Sequence, residues 1–176
     1  TSKVREALIN ILGKSINNCH WLDLCSGSGI VGCEAVQKGA RRILAIESHK
    51  ETARICKSNL LVTTSGLSHQ PFLEVITSDV VRVLKKGCKK QSKNFVEKFP
   101  HYDFRFDFIY IDPPYKSDLY ELIFENLLFG NWLKNNGLAI CEYSPKFIPS
   151  IPSSWKSIKT KTYGNTALVF LTPNQA

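Results

Sequence analysis

Short apolar runs alternate along the chain with segments in which apolar residues recur every three or four positions, a pattern that predicts strands alternating with helices. The predicted strands cover residues 20–25, 42–47, 72–77, 106–111, 138–143, 158–163 and 167–171, and the predicted helices cover 3–12, 30–38, 50–61, 79–86 and 119–129. Strand–helix alternation favours parallel strands in one sheet with helices on both faces. We therefore expect an α/β, three-layer, Rossmann-like fold with a seven-stranded, mostly parallel sheet.

Two segments depart from this alternation. The last two predicted strands flank Gly164-Asn165, a pair typical of a hairpin turn, so we expect a C-terminal antiparallel hairpin at the sheet edge. Residues 87–105 show no clear periodicity and carry several lysines between scattered aromatic residues. For this stretch we predict a long loop that is mobile at its lysine-rich start.

Length and composition narrow the class of protein. The 176 residues fit one domain, which we expect to span residues 1–176. The formal net charge is +8, which predicts attraction to polyanions. No apolar run is long enough to cross a bilayer and no signal peptide is visible, so we expect a cytoplasmic protein with no membrane partner. The six cysteines form no C-x-x-C pair, so we predict reduced thiols and no metal site.

A glycine-rich turn follows the first predicted strand. Residues 27–32 spell G-x-G-x-x-G between a strand and a helix, and Glu47 lies twenty residues after Gly27. Both halves of the dinucleotide-binding fingerprint are thus present, and alone they would indicate an NAD-dependent dehydrogenase.

Asp23 favours a different cofactor. It lies four residues before the first glycine, where a carboxylate would repel a pyrophosphate. S-adenosylmethionine carries an ammonium group, a sulfonium and a ribose diol instead, so Asp23 could hold the ammonium side and Glu47 the ribose hydroxyls. Asp79 could accept from the adenine amine, although a helix N-cap is an equally good interpretation of Asp79, and a cap or solvated carboxylate is the alternative for Asp23. The predicted cofactor-binding residues are Asp23, Cys25, Gly27, Gly29, Glu47, Ser48, Asp79 and Val80.

A second turn, Asp112-Pro113-Pro114-Tyr115, follows the fourth predicted strand. Its prolines impose an extended backbone and remove two N–H donors. The Asp112 carboxylate and the Pro113 carbonyl could grip the N–H groups of an exocyclic base amine and orient its lone pair toward a methyl donor. Tyr115 could stack on a flipped base. We predict these four residues to be catalytic; the alternative is a proline-stiffened surface turn.

Across nearly its whole length the sequence resembles the RsmD-type 16S ribosomal RNA guanine-N2 methyltransferases. The residues that carry the resemblance are Val4-Arg5-Glu6-Ala7-Leu8, Leu22-Asp23-Leu24, Gly27-Ser28-Gly29, Gly32, Glu34-Ala35, Gly39-Ala40, Glu47, Asn59-Leu60, Asp107, Asp112-Pro113-Pro114-Tyr115 and Tyr163-Gly164-Asn165-Thr166. The resemblance implies a class I methyltransferase fold, S-adenosylmethionine as cofactor and the exocyclic N2 of one guanine in 16S ribosomal RNA as target. It also implies Asp112 to Tyr115 as the catalytic turn and ribosomal RNA or the small subunit as partner.

Two departures from the family pattern stand out. Family members usually have Phe-Ala where this chain has Cys25-Ser26, which we expect to alter cofactor packing without abolishing binding. They also carry a basic segment ahead of the Val-Arg-Glu helix, and with no methionine in the sequence we expect that N-terminal segment to be missing here.

The basic residues predict a contact with RNA phosphates, and other functions remain as alternatives. We expect a basic rim around the site to contact RNA phosphates; its candidate residues are Arg41, Arg42, Lys85, Lys86, Lys89, Lys90 and Lys93. The alternative functions are a DNA adenine-N6 or cytosine-N4 amine methyltransferase, and a non-catalytic RNA-binding protein of methyltransferase fold. One domain acting on a polyanion predicts a monomer.

Overall fold

A computed structural model of the protein describes residues 1–115 and 117–175. The helices are α1 (Ser2–Leu12), α2 (Ile30–Gln37), α3 (Lys50–Thr64), α4 (Val80–Lys85), α5 (Cys88–Gln91), α6 (Lys93–Lys98) and α7 (Leu119–Phe129). The strands are β1 (His20–Leu24), β2 (Arg42–Glu47), β3 (Phe72–Thr77), β4 (Phe106–Ile111), β5 (Leu133–Tyr143), β6 (Trp155–Tyr163) and β7 (Thr166–Pro173). A 3-10 turn, Gly13–Ile16, joins α1 to β1.

The strands form one seven-stranded sheet in the order β3-β2-β1-β4-β5-β7-β6. Strands β1 to β5 are parallel, whereas β7 is antiparallel to both β5 and β6. The order reverses at β1, where the chain continues first toward β2 and β3 and later returns to β4. Ligands of open α/β sheets bind at such a reversal, outside the carboxyl ends of the strands. The predicted α/β class, the mostly parallel sheet and the C-terminal hairpin are confirmed.

Helices cover both faces of the sheet, and the central strands β1, β2 and β4 are buried on both faces. Helices α1, α2 and α3 contribute to one apolar cluster that includes Trp21, Tyr110 and Phe170. Helices α4 and α7 contribute to a second cluster on the opposite face. The free energy of burying these two apolar layers fixes the sheet between them.

The prediction of a long loop at residues 87–105 is wrong in its central part. Short helices α5 and α6 lie there, and Phe95 of α6 is buried. Its ring lies 5.1 Å from that of His20 and 5.5 Å from that of Phe72, measured between ring centroids. His20 and Phe72 are the first residues of β1 and β3. The segment that contains α5 and α6 therefore packs across the amino ends of the strands. Periodicity could not reveal helices of four and six residues.

Arg42 is not available to an RNA phosphate, contrary to expectation. It is fully buried, and its guanidinium donates to the Phe104 carbonyl oxygen at 2.7 Å and to Ser92 Oγ at 2.8 Å. The guanidinium also lies over the rings of Phe95 and Phe106, 4.2 and 4.4 Å from their centroids. Arg42 therefore anchors the segment of α5 and α6 to the sheet.

The lysine cluster also differs from the predicted rim. Lys89 and Lys90 lie on α5 and Lys93 on α6, the segment packed across the amino ends of the strands. The Asp112 turn follows the carboxyl end of β4. The expected basic rim around the site is therefore wrong for these lysines, since the two ends of a strand are separated by its length.

Two further observations concern the described part of the chain, residues 1–115 and 117–175. It contains no helix that combines the length and apolarity needed to cross a bilayer. Nor does it bring three His, Cys, Asp or Glu side chains into an arrangement that could hold a metal ion.

Candidate active site

The glycine turn follows β1 and is held by backbone hydrogen bonds to β2. The Ser26 N–H donates to the Ile46 carbonyl at 3.0 Å, and the Gly29 N–H donates to the Ser26 carbonyl at 2.9 Å. Asn59 of α3 donates its side-chain amide to the Ser28 carbonyl at 2.9 Å. The turn is thus fixed before any ligand arrives.

Gly29 shows why the turn requires glycine. Its φ is +78°, in the left-handed region, and a Cβ placed on it would lie 2.5 Å from Cys56 Sγ on α3. Any other residue at this position would meet both backbone strain and a steric clash. One side of the turn is therefore packed against α3, and a ligand can approach the backbone from the other side.

Glu47 joins the two predicted halves of the cofactor site. Its Oε2 accepts from the Gly27 N–H at 2.8 Å, and its Oε1 accepts from the His49 N–H at 3.0 Å. These bonds hold the carboxylate at the carboxyl end of β2, beside the glycine turn. Each oxygen keeps a second lone pair, so the carboxylate can still accept from a vicinal diol.

Asp23, which the sequence predicts to hold the ammonium side of the cofactor, is enclosed by the protein. It is 2% exposed and lies against Gly32 of α2. Burial first, and then the charges of Asp112 and Glu47, raise the pKa of Asp23 to about 8. Among the described residues nothing donates a hydrogen bond to its Oδ2. A buried acceptor without a partner marks a place where a cationic donor would be stabilised.

The Asp112 turn lies next to the glycine turn because β4 pairs with β1. The Asp112 N–H donates to the Leu24 carbonyl, the last residue of β1, at 3.4 Å. Burial, and then the charge of Glu142, raise the pKa of Asp112 to about 7. Pro113 is buried, whereas Pro114 and Tyr115 are exposed. The side chain of Tyr115 interacts with that of Thr166 in the β6–β7 hairpin.

Cys25 shows that the predicted carboxylates converge. Burial raises the pKa of its thiol to about 12, and the charges of four carboxylates act in the same direction: Glu47, Asp23, Asp112 and Asp79. Cys25 therefore lies among the side chains that the sequence placed at four separate strand ends. Its own backbone is in the left-handed region, with φ +59°.

The remaining predicted residues lie at the carboxyl ends of β2 and β3. Ser48 is exposed, and Val80 is buried in the core. The Asp79 side chain accepts from the Arg82 N–H at 2.9 Å, which confirms the N-cap interpretation. Asp79 is exposed, so a second, ligand-binding role for it stays a prediction.

Glu142 is a site residue that the sequence analysis missed. It is 8% exposed on β5, and the register that pairs Ile111 with Cys141 makes it the neighbour of Asp112. The Tyr110 hydroxyl donates to Glu142 Oε2. The one signal in the sequence was an acidic residue inside an otherwise apolar strand, since no motif includes it.

The sequence matches a known protein family and several named relatives. A family model described as "Conserved hypothetical protein 95" matches residues 1–172. A Haemophilus influenzae relative named "Ribosomal RNA small subunit methyltransferase D" is 34% identical over 163 residues, which are 92% of this chain and 76% of the relative. The relative of that name from Escherichia coli K12 is 27% identical over 169 residues, covering 95% of this chain and 75% of its own length.

Solved structures agree with the fold. A methylase from Haemophilus influenzae superposes with a TM-score of 0.74 and 27% identity, over 99% of this chain and 98% of the other. An Escherichia coli protein described as a methyltransferase gives a TM-score of 0.80 at 24% identity, over 100% and 89% of the two chains. A methyltransferase complexed with SAH gives 0.65 at 15% identity, over 96% and 48%. The last two show the fold alone. The family match over residues 1–172 shows that the chain belongs to the family described as conserved hypothetical protein 95, the RsmD family that its sequence resembles.

Proposed function

We propose that the protein transfers a methyl group from S-adenosylmethionine to the exocyclic N2 amine of a guanine in 16S ribosomal RNA. The observation that carries the proposal is the adjacency of the two turns, joined by the hydrogen bond from the Asp112 N–H to the Leu24 carbonyl. Relatives named as small-subunit ribosomal RNA methyltransferases support the substrate class.

The residues of the cofactor side fit this donor. The Asp23 carboxylate, whose Oδ2 has no partner among the described residues, suits its ammonium group. Glu47 suits its ribose diol, and the Gly27–Gly29 backbone leaves room for close approach. The donor, when bound, supplies an electrophilic methyl group on a sulfonium. An electropositive ligand also reduces the repulsion among the buried carboxylates, which favours binding of a cation over that of a dinucleotide phosphate.

The residues of the base side prepare the amine. Asp112 and the Pro113 carbonyl accept the two N–H groups of the guanine N2, which turns its lone pair away from the ring and toward the methyl donor. Tyr115, 49% exposed and interacting with Thr166, offers a face on which the flipped base stacks, with a gain of roughly 1–3 kcal/mol. Asp112 accepts the proton that N2 releases after transfer, for which a pKa of about 7 is well matched to neutral pH.

The proposal is tested with labelled cofactor on unmodified small-subunit RNA, small subunits and duplex DNA. We expect label in RNA or subunits, specifically as N2-methylguanine in a nuclease digest. Label in DNA alone would overturn the RNA assignment in favour of the DNA amine methyltransferase. Absence of transfer to all three, with the cofactor bound, would favour the non-catalytic alternative.

Asp112→Asn tests the role of the carboxylate at nearly constant volume. We expect methyl transfer to fall about 10²- to 10⁴-fold, because the variant loses the proton acceptor, while calorimetric affinity for the cofactor is kept. Asp118→Asn, an exposed carboxylate at the start of α7, is the matched control and should retain full activity. Activity of Asp112→Asn equal to that of the control would disprove the role of Asp112 as proton acceptor.

A further inference from the structure

The C-terminal fifth of the chain is free of acidic residues. After Glu142 the sequence contains no Asp or Glu, but four lysines: Lys146, Lys156, Lys159 and Lys161. All four are exposed, and within residues 1–115 and 117–175 none of them forms an ion pair. No ion pair within that part of the chain therefore neutralises these four lysines.

A bulge places three of these lysines on one face of the sheet. In the β6–β7 ladder Lys156 pairs with Thr172, Lys159 with Phe170 and Lys161 with Leu168, and the register shifts between Ser157 and Lys159. The partners are two residues apart on β7, and side chains two residues apart project from the same face. Without the extra residue at the bulge, Lys156 would project from the opposite face.

This face is the one that carries the Asp112 carboxylate. Phe170 and Leu168 belong to the apolar cluster under α1 and α2, which also includes Tyr110. Leu168 pairs with Lys161 on one side and with Glu142 on the other. Glu142 in turn neighbours Asp112, so Lys161 lies about three strand spacings, ~14 Å, from Asp112 along one row.

The direction of β6 leads to the site. Strand β6 is parallel to β5, because β7 is antiparallel to both, and it ends at the hairpin in which Thr166 interacts with Tyr115. Lys156, Lys159 and Lys161 therefore form a line of positive charge that runs along the sheet edge toward the catalytic turn. We call this line the β6 lysine track.

Protection of an edge strand is the alternative reason for these lysines. Charged side chains on an edge discourage pairing with another chain. That role accounts for lysines on an edge strand, but it does not require three of them to lie on one face. A polyanionic partner at the Asp112 site accounts for this alignment as well as for the lack of acidic residues.

We propose that the β6 lysine track binds the phosphodiester backbone of the RNA strand whose guanine enters the Asp112 site. The proposal rests on the proposed function, since it assigns the surface that holds the same substrate. The lysines of α5 and α6, at the amino ends of the strands, do not contribute to this contact.

Two triple variants with the same change of charge test the track. Lys156, Lys159 and Lys161 are replaced by Gln in one, and Lys89, Lys90 and Lys93 by Gln in the other. Small-subunit RNA is titrated by fluorescence anisotropy at several salt concentrations, and thermal unfolding verifies that both variants are folded. The β6 variant should bind about 10- to 100-fold more weakly, with a slope of log K against log salt smaller by roughly 2–3. Its kcat at saturating RNA and its cofactor affinity should be unchanged.

The control variant should bind RNA within about twofold of the original protein. Equal losses in both triples, or no loss in the β6 triple, would overturn the proposed track. Weaker RNA binding by the β6 triple in a protein that transfers no methyl group to RNA would support the track and refute the proposed function. Normal RNA methylation, together with unchanged RNA binding by the β6 triple variant, would support the proposed function and refute the track.

Discussion

Two carboxylates on neighbouring strands, Asp112 and Glu142, share the base side of the site. Asp112 is half-buried, whereas Glu142 is buried and accepts a hydrogen bond from the Tyr110 hydroxyl. The charge of Glu142 adds to burial in raising the pKa of Asp112 to about 7. A group that must be ionised to take up the proton of the amine is thereby held close to its titration point at neutral pH.

Glu142→Gln should shift the acidic limb of the pH–rate profile to lower pH. Removing the neighbouring charge lowers the pKa of Asp112, so the accepting form persists into more acidic solution. The Gln amide oxygen can still accept from Tyr110, which keeps the packing. The measurement is kcat/KM for methyl transfer between pH 5.5 and 8.5. Glu125→Gln, an exposed glutamate of α7, is the control; identical profiles for the two variants would show that Glu142 does not act on Asp112.

Among the elements, α5 and α6 depend most on distant contacts. Helices of four and six residues are unstable alone, since nucleation offsets the few hydrogen bonds they make. Phe95 supplies the missing free energy by packing on His20 and Phe72, and Arg42 adds two hydrogen bonds, to Ser92 and to the Phe104 carbonyl. His20, Phe72 and Arg42 lie 23 to 75 positions away from Phe95 in the chain.

Phe95→Ala should reduce the free energy of unfolding by roughly 3–5 kcal/mol, because it leaves a cavity at the amino edge and deprives Arg42 of a ring. Urea denaturation measures the loss, and hydrogen exchange should show α5 and α6 opening first. Phe129→Ala removes a ring that is 85% exposed and should change stability by no more than about 0.5 kcal/mol. A loss in Phe95→Ala as small as that of Phe129→Ala would show that the ring does not hold the segment.

At the scale of the whole molecule, catalytic chemistry and stability compete at the carboxyl edge of the sheet. Asp23 and Asp112 have pKa values of about 8 and 7 in the folded protein, both above their ordinary value of 3.8. Their protonated forms are favoured by folding, so the stability they contribute is present at low pH and is lost as pH rises through 7 and 8. Burial lowers the pKa of His20 to about 4. This shift makes the stability of the fold rise with pH, but only below about pH 6.5, the ordinary pKa of histidine.

The ligand-free protein should therefore unfold at a higher temperature at pH 6.5 than at pH 8.5. For each proton that the folded protein binds in excess of the unfolded chain, the free energy of unfolding falls by roughly 1.4 kcal/mol per unit rise in pH. Asp23→Asn should flatten this dependence, whereas Asp118→Asn should keep it, as measured by calorimetry at the two pH values. An unchanged slope in Asp23→Asn would show that its carboxyl does not titrate in this range.

Much of this protein follows from its sequence alone. The alternation of apolar runs predicts the layers, the glycine spacing predicts the turn after β1, and Asp112 to Tyr115 predicts the turn after β4. Gly164-Asn165 predicts the hairpin. Each of these features is local, because a strand, a tight turn or a helix start is set by the preferences of a few adjacent residues.

Only the tertiary structure decided which distant residues meet. It buried Arg42 behind Phe95, enclosed Asp23, and placed Glu142 beside Asp112. It also separated the lysines of α5 from the site and, through one bulge, aligned those of β6 with it. Strand order and register arise from packing across the whole sheet, and a shift of one residue reverses the face of every side chain beyond it. No local pattern of apolar and polar residues carries that information.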